Sequence, residues 1–472
     1  MNKYKKLASD TILMTIGNFS SKVLVFLLLP IYTYVLTTEE YGIADLFLTT
    51  VNLLVPILTL SITDATFRYA FDKNLDQEKN ITNSVIVITG SIIFLLPITW
   101  GLSFWNQSFS TYGMFFVLLY YFNALHTCLG NYARGINHIK TFVGSSLIYT
   151  VLLLTFNILF LTVFKIGLYG YFVSMITAHI GSTIFLIVFL KGWKIIKIRK
   201  FDAPFLKEML NFSIPMIFST TAWWAMNSVD KYMLIDWYGI ETSGLYGAAQ
   251  KLPTIITVLS NIFVQAWQIS AIDAYGEKES DEFYTNVYKT YETGLFIAAA
   301  VIICLTKPLA SIMFQKEYFS AFVFSPILIL SGVYSCLSMF LQSPFVAEKK
   351  SVVLLKTTMI GLVFNIIANI VFLQIMGPIG ATYATMIGFC ITWAMRFYMS
   401  RKFIKIKLNW VNSITIMFFL FVEAFVISND ISHGILIALA LTFAIILMRF
   451  NTIKVFSYGV TKILKKIVKK NQ

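Results

Sequence analysis

The sequence is poor in charged residues. Only 13% of its 472 residues are Asp, Glu, Lys or Arg, whereas 57% are hydrophobic and 16% are aromatic. A soluble globular protein carries about a quarter of its residues as charged ones, so soluble, disordered and fibrous classes are excluded. The 37 Lys and Arg exceed the 23 Asp and Glu and give a net charge of +14. In a membrane protein such an excess sets orientation in the bilayer, and we expect no nucleic-acid partner.

Cysteine and histidine are also scarce. There are four of each, and they are scattered through the chain without the short spacings of a metal site or a disulfide framework. No paired-carboxylate motif or nucleotide-binding loop stands out, and the loops between apolar runs are short. We therefore expect no metal, no cofactor and no catalytic residue, and a protein that is not an enzyme. The basic N-terminus precedes a long apolar segment without a cleavage site, which indicates a retained first helix.

Long apolar runs are abundant. A helix that crosses a bilayer needs roughly 20 mostly apolar residues, and fourteen windows of the sequence meet this requirement. The predicted fold is therefore an all-α integral membrane protein with about 14 transmembrane helices. The windows are residues 11–36, 43–62, 81–103, 112–133, 142–164, 167–190, 210–236, 244–270, 288–306, 322–346, 352–374, 379–399, 411–427 and 434–449.

The positions of Lys and Arg predict the topology. When the N-terminus is placed in the cytoplasm and sides alternate after each span, most cations fall inside, as the positive-inside rule requires. The inside set includes Arg396, assigned to the loop after the twelfth span, and Arg449 at the start of the basic tail. We therefore expect both termini to be cytoplasmic. The cations that fall outside are Lys165, Lys307 and Lys316.

Two short patterns recur at offsets of 205 and 210 residues. Because they recur in the same order, they predict two pseudo-symmetric six-helix lobes followed by two C-terminal helices. An even number of helices per repeat keeps both copies in one orientation, as in transporters that bind substrate between parallel repeats. The paired segments are Tyr41-Gly42 with Tyr246-Gly247, and Asn157 followed by Gly167 with Asn369 followed by Gly377.

The repeat also predicts the domain boundaries. A basic stretch separates the six spans of the first lobe from the six spans of the second. We interpret it as a cytoplasmic linker that is solvated or bound to headgroups. The predicted parts are an N-lobe (1–190), the linker (191–208), a C-lobe (209–400), and a segment of two helices with a basic tail (401–472).

Charged residues inside the predicted spans are the first candidates for function, because a charge at the bilayer centre costs about 2.5–3.5 kcal/mol on insertion scales. Lys22 lies near the middle of the first span, and Asp230 and Lys231 lie in the outer third of the seventh. Lys251 lies in the eighth span beside Pro253, which can break the helix and free backbone groups around a site. Each has a structural alternative, namely pairing within the bundle.

Arg68 and Arg134 lie at the predicted cytoplasmic ends of the second and fourth spans. They are candidates for substrate capture, and the alternative is ordinary anchoring at the membrane surface. Together with the lysines inside the spans they make a cationic interior that suits an anionic substrate. Phosphate is well matched, because Lys and Arg bind its oxygens through charge-assisted hydrogen bonds.

These residues and their order resemble those of a known protein family. Over nearly its whole length it resembles the oligosaccharide flippases of the polysaccharide transporter family (Wzx type), within the multidrug/oligosaccharidyl-lipid/polysaccharide exporter superfamily. The resemblance is carried by diffuse motifs in a fixed order. They are Asn18 to Lys22, Pro30, Glu40-Tyr41-Gly42, Asp64 to Arg68, Ser228 to Tyr232, Gly244 to Tyr246, Lys251 to Pro253, and the paired Asn and Gly segments.

The resemblance implies a V-shaped, two-lobed bundle that moves undecaprenyl-pyrophosphate-linked oligosaccharide across the bacterial plasma membrane by alternating access. It implies as partners the lipid-linked saccharide, the bilayer and other polysaccharide-assembly proteins. In related lipid II flippases, cavity arginines on the first, second and eighth helices are important, and Lys22 and Lys251 fall at similar places on the first and eighth. The second helix departs from that pattern, since it carries Asp45 and has Arg68 only at its end.

Two other functions stay open. A multidrug or toxin antiporter of the same superfamily has the same plan, but such proteins usually need acidic cavity residues. A membrane polysaccharide polymerase or glycosyltransferase would act in the same pathway, but it usually needs a large extramembrane loop or a carboxylate pair. Capsule, O-antigen, exopolysaccharide and teichoic-acid precursors share one lipid pyrophosphate, so the residues do not distinguish among them, nor do they identify a coupling ion.

Overall fold

The computed structural model describes residues 28–72, 74–275, 279–348, 350–450, 452 and 454, and the regular structure of this part is entirely helical. The principal helices, numbered in chain order, are α1 (Thr38–Leu58), α2 (Ile62–Ala70), α3 (Gln77–Gly90), α4 (Ile92–Trp105), α5 (Gly113–Gly135), α6 (Ile139–Asn157), α7 (Gly167–Phe189), α8 (Ala203–Tyr238), α9 (Ile240–Ala249), α10 (Thr254–Ala274), α11 (Ser280–Cys304), α12 (Thr306–Met313), α13 (Ser325–Phe340), α14 (Gln342–Ala347), α15 (Ser351–Met376), α16 (Gly380–Ser400), α17 (Trp410–Ser428) and α18 (Gly434–Met448).

The predicted all-α membrane fold is confirmed. Nine apolar helical segments among the described residues are long enough to cross a bilayer. One of them, Val352–Ser400, covers α16 and all of α15 except its first residue. Along α4, large apolar side chains such as Trp100 (68% exposed) point away from the fold, as a helix surrounded by lipid requires. The predicted window 244–270 is divided, because residues 250–253 form a turn between α9 and α10. Pro253 is the last residue of this turn, and because it has no amide to donate, it cannot continue the hydrogen bonds of α9.

The start of α1 follows directly from the sequence. Thr37 and Glu40 form a capping box, in which the Thr37 hydroxyl accepts from the Glu40 amide at 3.1 Å and the Glu40 carboxylate accepts from the Thr37 amide at 2.9 Å. This arrangement satisfies two amides that a helix N-terminus otherwise leaves unpaired. The helix ends at Leu58, and Leu60 and Ser61 then adopt positive φ and redirect the chain into α2.

The described chain forms two compact units. Unit 1 comprises residues 1–228 and 239–244, and unit 2 comprises residues 229–238 and 245–472. In the core of unit 1, Phe47 packs on three other rings with centroids 4.8–5.2 Å apart, those of Phe109, Phe116 and Phe172. In the core of unit 2, Phe340 packs on Trp267 at 4.6 Å and on Tyr288 at 5.2 Å. The lobe and linker boundaries predicted above stay a prediction.

The repeated Asn and Gly segments adopt the same local structure in both halves. Asn157 is fully buried and donates its amide to the carbonyl four residues earlier at 2.7 Å, and Asn369 does the same at 3.0 Å. The glycine that follows each of them has positive φ, +57° at Gly167 and +68° at Gly377. Gly167 opens α7 and Gly377 lies three residues before α16, so the two segments share these local features.

The glycine of the repeated Tyr-Gly pattern marks a close helix crossing in unit 1. A Cβ added at Gly42 on α1 would lie 2.3 Å from the backbone oxygen of Ile240, the first residue of α9. A Cβ added at Gly244 on α9 would lie 2.3 Å from the backbone oxygen of Thr38. Because backbone atoms stand on both sides of this crossing, the two helices approach this closely only where side chains are absent.

The basic stretch 191–202 is docked on α3 within unit 1. Lys197 pairs with Glu78 at 2.9 Å, and Lys200 pairs with Asp76 at 3.0 Å. Lys79 reaches back from α3 to Asp202 at 2.6 Å. These exposed ion pairs hold this part of the linker against the N-terminal end of α3, so its charges are paired with protein carboxylates as well as being solvated.

Two cations that the topology assigns to cytoplasmic segments are buried in unit 2. Arg396 is only 2% exposed within α16, where its guanidinium donates to the Thr357 and Thr358 hydroxyls and to the Ser338 carbonyl at 2.9–3.2 Å. Arg449 is 6% exposed and pairs with a carboxylate of α11. The assignment of Arg396 to a loop is wrong, because the helix continues past it to Ser400.

Candidate functional site

A close contact between α2 and α5 brings the two candidate arginines of unit 1 to the same end of the unit. A Cβ added at Gly135 would lie 2.4 Å from the Ala70 Cβ and 2.9 Å from the Phe67 carbonyl oxygen. The absence of a side chain at Gly135 therefore lets the last turn of α5 rest on the last turn of α2. Arg134 is the residue before this glycine, and Arg68 follows Phe67, so the contact brings both cations to one end of the unit.

The guanidinium of Arg134 is held in place by two aromatic rings and one side-chain amide. Its guanidinium lies 4.0 Å above the Phe67 ring and 5.8 Å from the Phe142 ring, a cation–π arrangement. One terminal nitrogen donates to the Asn131 side chain at 3.3 Å, whereas the buried Nε has no partner among the described residues. The group is thus oriented by two rings and an amide, and Asp64 of α2 attracts it without forming an ion pair. Its Nε remains a donor that an anion could use.

Arg68 is exposed in the last turn of α2 and makes no hydrogen bond or ion pair with the part of the chain that the structure describes. A guanidinium carries five donors in a fixed fork. Arg68 and the oriented Arg134 can therefore both donate charge-assisted hydrogen bonds to a phosphate or pyrophosphate at this end of the unit. Arg68 and Arg134 therefore form the candidate anion site of unit 1.

In unit 2, Asp230 is the centre of a buried hydrogen-bond network. It lies on α8, is 1% exposed, and accepts from the Tyr246 hydroxyl of α9 and, at 2.9 Å, from the Thr385 hydroxyl of α16. The backbone amide of Lys231 donates to its other oxygen at 3.0 Å. Both carboxylate oxygens are therefore occupied, so the group joins three helices. The sequence had identified Asp230 and Tyr246 separately but gave no sign of Thr385.

The two candidate lysines of unit 2 lie in different surroundings. Lys231 is adjacent to Asp230 on α8 and is only 8% exposed. Lys251 lies in the turn between α9 and α10, where its backbone oxygen accepts from the Thr254 hydroxyl. Lys22 lies outside the described residues. The roles of Lys22, Asp230, Lys231 and Lys251, like those of the two arginines, stay predictions.

Known proteins resemble this chain in sequence family and in fold. The family described as "Polysaccharide biosynthesis protein" matches residues 7–268. No curated protein matches the sequence. Among solved structures, an inward-facing multidrug resistance MATE family transporter of the MOP superfamily aligns with a TM-score of 0.67 at 14% identity, covering 82% of this chain and 97% of its own. The lipid II flippase MurJ in an inward closed conformation aligns with a TM-score of 0.65 at 16% identity, covering 94% and 100%. At these identities the likeness establishes a multi-pass membrane transporter fold.

Proposed function

Because the chain belongs to the polysaccharide biosynthesis protein family, we propose that it flips a lipid-linked saccharide across a bacterial plasma membrane. The substrate is an undecaprenyl-pyrophosphate-linked oligosaccharide, or a related lipid-linked precursor of a cell-surface polymer. It moves from the cytoplasmic to the outer leaflet by alternating access, and both termini of the protein are cytoplasmic. The observation that carries this proposal is the pair formed by the oriented Arg134 and by Arg68, which is exposed and has no hydrogen bond or ion pair to the described residues.

The pair supplies what the charged end of such a lipid requires. A pyrophosphate presents several anionic oxygens, and two neighbouring guanidinium groups can bind them by charge-assisted hydrogen bonds. On the predicted topology both arginines face the cytoplasm, the side on which the lipid-linked saccharide is made. We assign the first capture of the pyrophosphate to this pair.

The later part of the route uses the cations of the spans. In the proposed cycle Lys22 receives the pyrophosphate after the arginines, and Lys251 and Lys231 accompany its exit. An inside-negative potential favours outward movement of an anion by up to about 2.3 kcal/mol per charge at 100 mV. The lipid tail remains in the bilayer throughout, because its transfer into water would be unfavourable.

The test is complementation of a bacterial strain that lacks its own flippase, scored by surface polysaccharide. We expect Arg68→Ala to lower the polysaccharide by about tenfold, since hydrogen bonds to charged groups contribute about 1.5–3 kcal/mol. The conservative Arg68→Lys should retain part of the activity, because it keeps the charge but loses the bidentate fork. Arg68 is exposed, so these variants should be produced normally.

Arg199→Ala is the matched control, because Arg199 is an exposed arginine of the linker without a hydrogen bond or ion pair to the described residues. We expect it to complement fully. Full complementation by Arg68→Ala at the wild-type protein level would refute the capture role of the arginine pair. The roles of Lys22 and Lys251 are tested in the same strain by Lys22→Ala and Lys251→Ala.

An antiporter that exports cationic drugs is the second candidate, favoured by the structural likeness to a multidrug transporter and by the buried carboxylate of Asp230. That carboxylate already accepts hydrogen bonds at both oxygens, which leaves it poorly suited to bind a cation. Drug resistance on overexpression, without restoration of surface polysaccharide, would favour the antiporter instead.

A further inference from the structure

Unit 1 has a groove that is separate from the candidate anion site, since neither Arg68 nor Arg134 lines it. It has a volume of about 540 Å³, within the range of small-molecule sites. It lies where α1 and α8 meet, and no charged side chain lines it. Its lining includes Asn52, Pro56, Trp223, Trp224, Asn227 and Ser228.

The position of Asn52 indicates that the groove faces water. Asn52 lies inside the membrane-spanning α1, roughly 9 Å from one end and 21 Å from the other at 1.5 Å per residue. Its side chain is exposed and forms no hydrogen bond with the described residues. An unsatisfied amide is strongly unfavourable in hydrocarbon. This face of α1 therefore borders a hydrated space rather than lipid.

The backbone carbonyl of Asn52 is a second polar group in the groove. Pro56 lies four residues after Asn52 and has no amide hydrogen, so it cannot form the usual helical hydrogen bond to the Asn52 carbonyl. Asn52 therefore presents a backbone acceptor as well as a side-chain amide. Across the groove, the Asn227 amide donates to the Trp223 carbonyl at 2.7 Å, which leaves its side-chain oxygen available. The Ser228 hydroxyl has no hydrogen bond to the part of the chain that is described.

The tryptophans supply the apolar part of the lining. The indole N–H of Trp224 donates to the Thr49 carbonyl at 2.9 Å, which fixes the orientation of its ring. Trp223 and Trp224 are both half-buried, so part of each ring remains accessible. An aromatic face carries partial negative charge and attracts the polarised C–H groups on the flat face of a sugar ring, while amides and hydroxyls bind the sugar hydroxyls.

We propose that this groove binds a sugar ring of the transported lipid-linked saccharide. The inference rests on the proposed function and names the part of the substrate that the groove contacts. A lipid chain would leave the free amide of Asn52 unsatisfied, and a cationic drug would find no carboxylate among the lining residues. A neutral ligand with apolar faces and a rim of hydroxyl groups, such as a sugar ring, can pack on the tryptophans and form hydrogen bonds with the amide and hydroxyl groups of the groove.

The experiment compares binding of two kinds of probe to the purified full-length protein in lipid nanodiscs. One is a polyprenyl pyrophosphate without sugar, and the other is the same lipid carrying glucose, N-acetylglucosamine or N-acetylgalactosamine. We expect the wild type to bind at least one glycosylated lipid more tightly than the bare lipid. Trp224→Ala should weaken that binding by about tenfold, a typical effect of removing a stacking ring, and should leave binding of the bare lipid unchanged.

Asn52→Leu is the second variant, because Asn52 is exposed and its replacement removes no side-chain hydrogen bond to the described residues. It should reduce the preference for glycosylated lipid in the same way, whereas Trp224→Phe should retain most of it. Trp100→Ala on α4 is the matched control, since this tryptophan is 68% exposed on a lipid-facing helix, and it should change neither binding constant.

Two outcomes would overturn the inference, and they can be told apart. If the wild type binds bare and glycosylated lipids equally, or if both variants weaken the two probes equally, the groove does not bind sugar, while pyrophosphate binding at the arginines stands. If the protein binds none of the polyprenyl pyrophosphates and restores no surface polysaccharide, the proposed function is wrong and the sugar site is rejected with it.

Discussion

At the scale of single residues, the carboxylate of Asp230 is a buried group of unit 2 that accepts three hydrogen bonds. It accepts from a tyrosine and a threonine that come from two other helices. Hydrogen bonds to a charged group that is shielded from water are stronger than those between neutral groups. The contribution of the threonine can be measured, because its removal leaves the tyrosine in place.

Thr385→Ala should lower the free energy of unfolding by about 1.5–3 kcal/mol, the usual range for a hydrogen bond to a charged group. The measurement is thermal unfolding of the detergent-solubilised protein. Thr415→Ala is the control, because the hydroxyl of the half-buried Thr415 donates to a carbonyl of its own helix at 2.8 Å and has no other partner in the part of the chain that the structure describes. Equal unfolding temperatures for the two variants would show that the bond to Asp230 contributes nothing to stability.

The contacts of two arginines could not be predicted from the sequence. The cationic character of Arg134 and its position at a helix end could be predicted, but its stacking on Phe67 depends on the close approach at Gly135. Arg396 was counted as a loop cation because it lies near the end of an apolar window. Its burial depends on hydroxyl and carbonyl groups that lie 38 to 58 residues away in the chain, and a hydropathy window contains no information about them.

At the scale of helices, the crossing of α1 and α9 at Gly42 depends on the absence of side chains. Gly42→Ala should destabilise the protein by about 1–3 kcal/mol, since the new Cβ would overlap the Ile240 backbone, and overpacking of this kind forces backbone shifts. The control is Gly101→Ala on α4, where an added Cβ meets nothing within 4 Å. An unfolding temperature for Gly42→Ala no lower than that of the control would contradict the crossing.

The docked linker should respond to acid. Hydrogen bonding to Lys79 holds the pKa of Asp202 below its usual range, and Lys200 does the same for Asp76. A carboxylate whose pKa is lowered by folding stabilises the folded contact above its unfolded pKa of about 3.9, and this contribution is lost as the pH falls through the lowered value. The docking should therefore be intact above about pH 5 and weaken below about pH 4.

A spin label at Ile198, which is 83% exposed in the linker, should become more mobile over that range. A label at Val411, 78% exposed at the start of α17, serves as the control for general unfolding. Lys79→Met should raise the mobility at Ile198 already at pH 7. If the mobility at Ile198 is the same at pH 7 and at pH 3.5, the ion pairs do not hold the linker.

At the scale of the whole molecule, the C-terminal helices are joined to the body of unit 2 by one buried ion pair. Arg449, just after α18, lies 2.6 Å from the Glu292 carboxylate of α11, and the Ser413 hydroxyl of α17 bonds to both groups at 3.0 Å. The sequence had assigned Arg449 to a basic tail. The two last helices are thus fixed to the unit by a charge network that includes Arg449, the last residue of the final predicted span.

Glu292→Gln should cost about 3–5 kcal/mol of stability, because it leaves the buried Arg449 charge without its counter-ion. The double variant Glu292→Gln with Arg449→Met should recover part of this loss, since both charges are then removed. The control is Asp430→Asn, which breaks the exposed pair with Lys307 and should cost less than about 1 kcal/mol. The measurement is thermal unfolding of these proteins and of the single variant Arg449→Met. If the loss in the double variant equals the sum of the two single losses, the two groups are not a coupled pair.

The architecture was more predictable than the sites. Apolar length identifies membrane helices because the bilayer imposes it, and thirteen of the fourteen predicted windows overlap helices given above, as with α7 at window 167–190. The break at Pro253 also followed from covalent structure. The partners of buried polar groups, such as Thr385 beside Asp230, depend on which helices pack together, and no local pattern encodes that.

The two glycines with positive φ, Gly167 and Gly377, place a shared limit on how far the halves of the chain can diverge. Any other L-residue in the left-handed region costs roughly 1–2 kcal/mol, whatever its side chain would contact. Side chains that face lipid can be exchanged freely between the halves, because one apolar residue serves as well as another. Divergence between these two turns is therefore bounded by backbone geometry, at positions where the chain has no side chain.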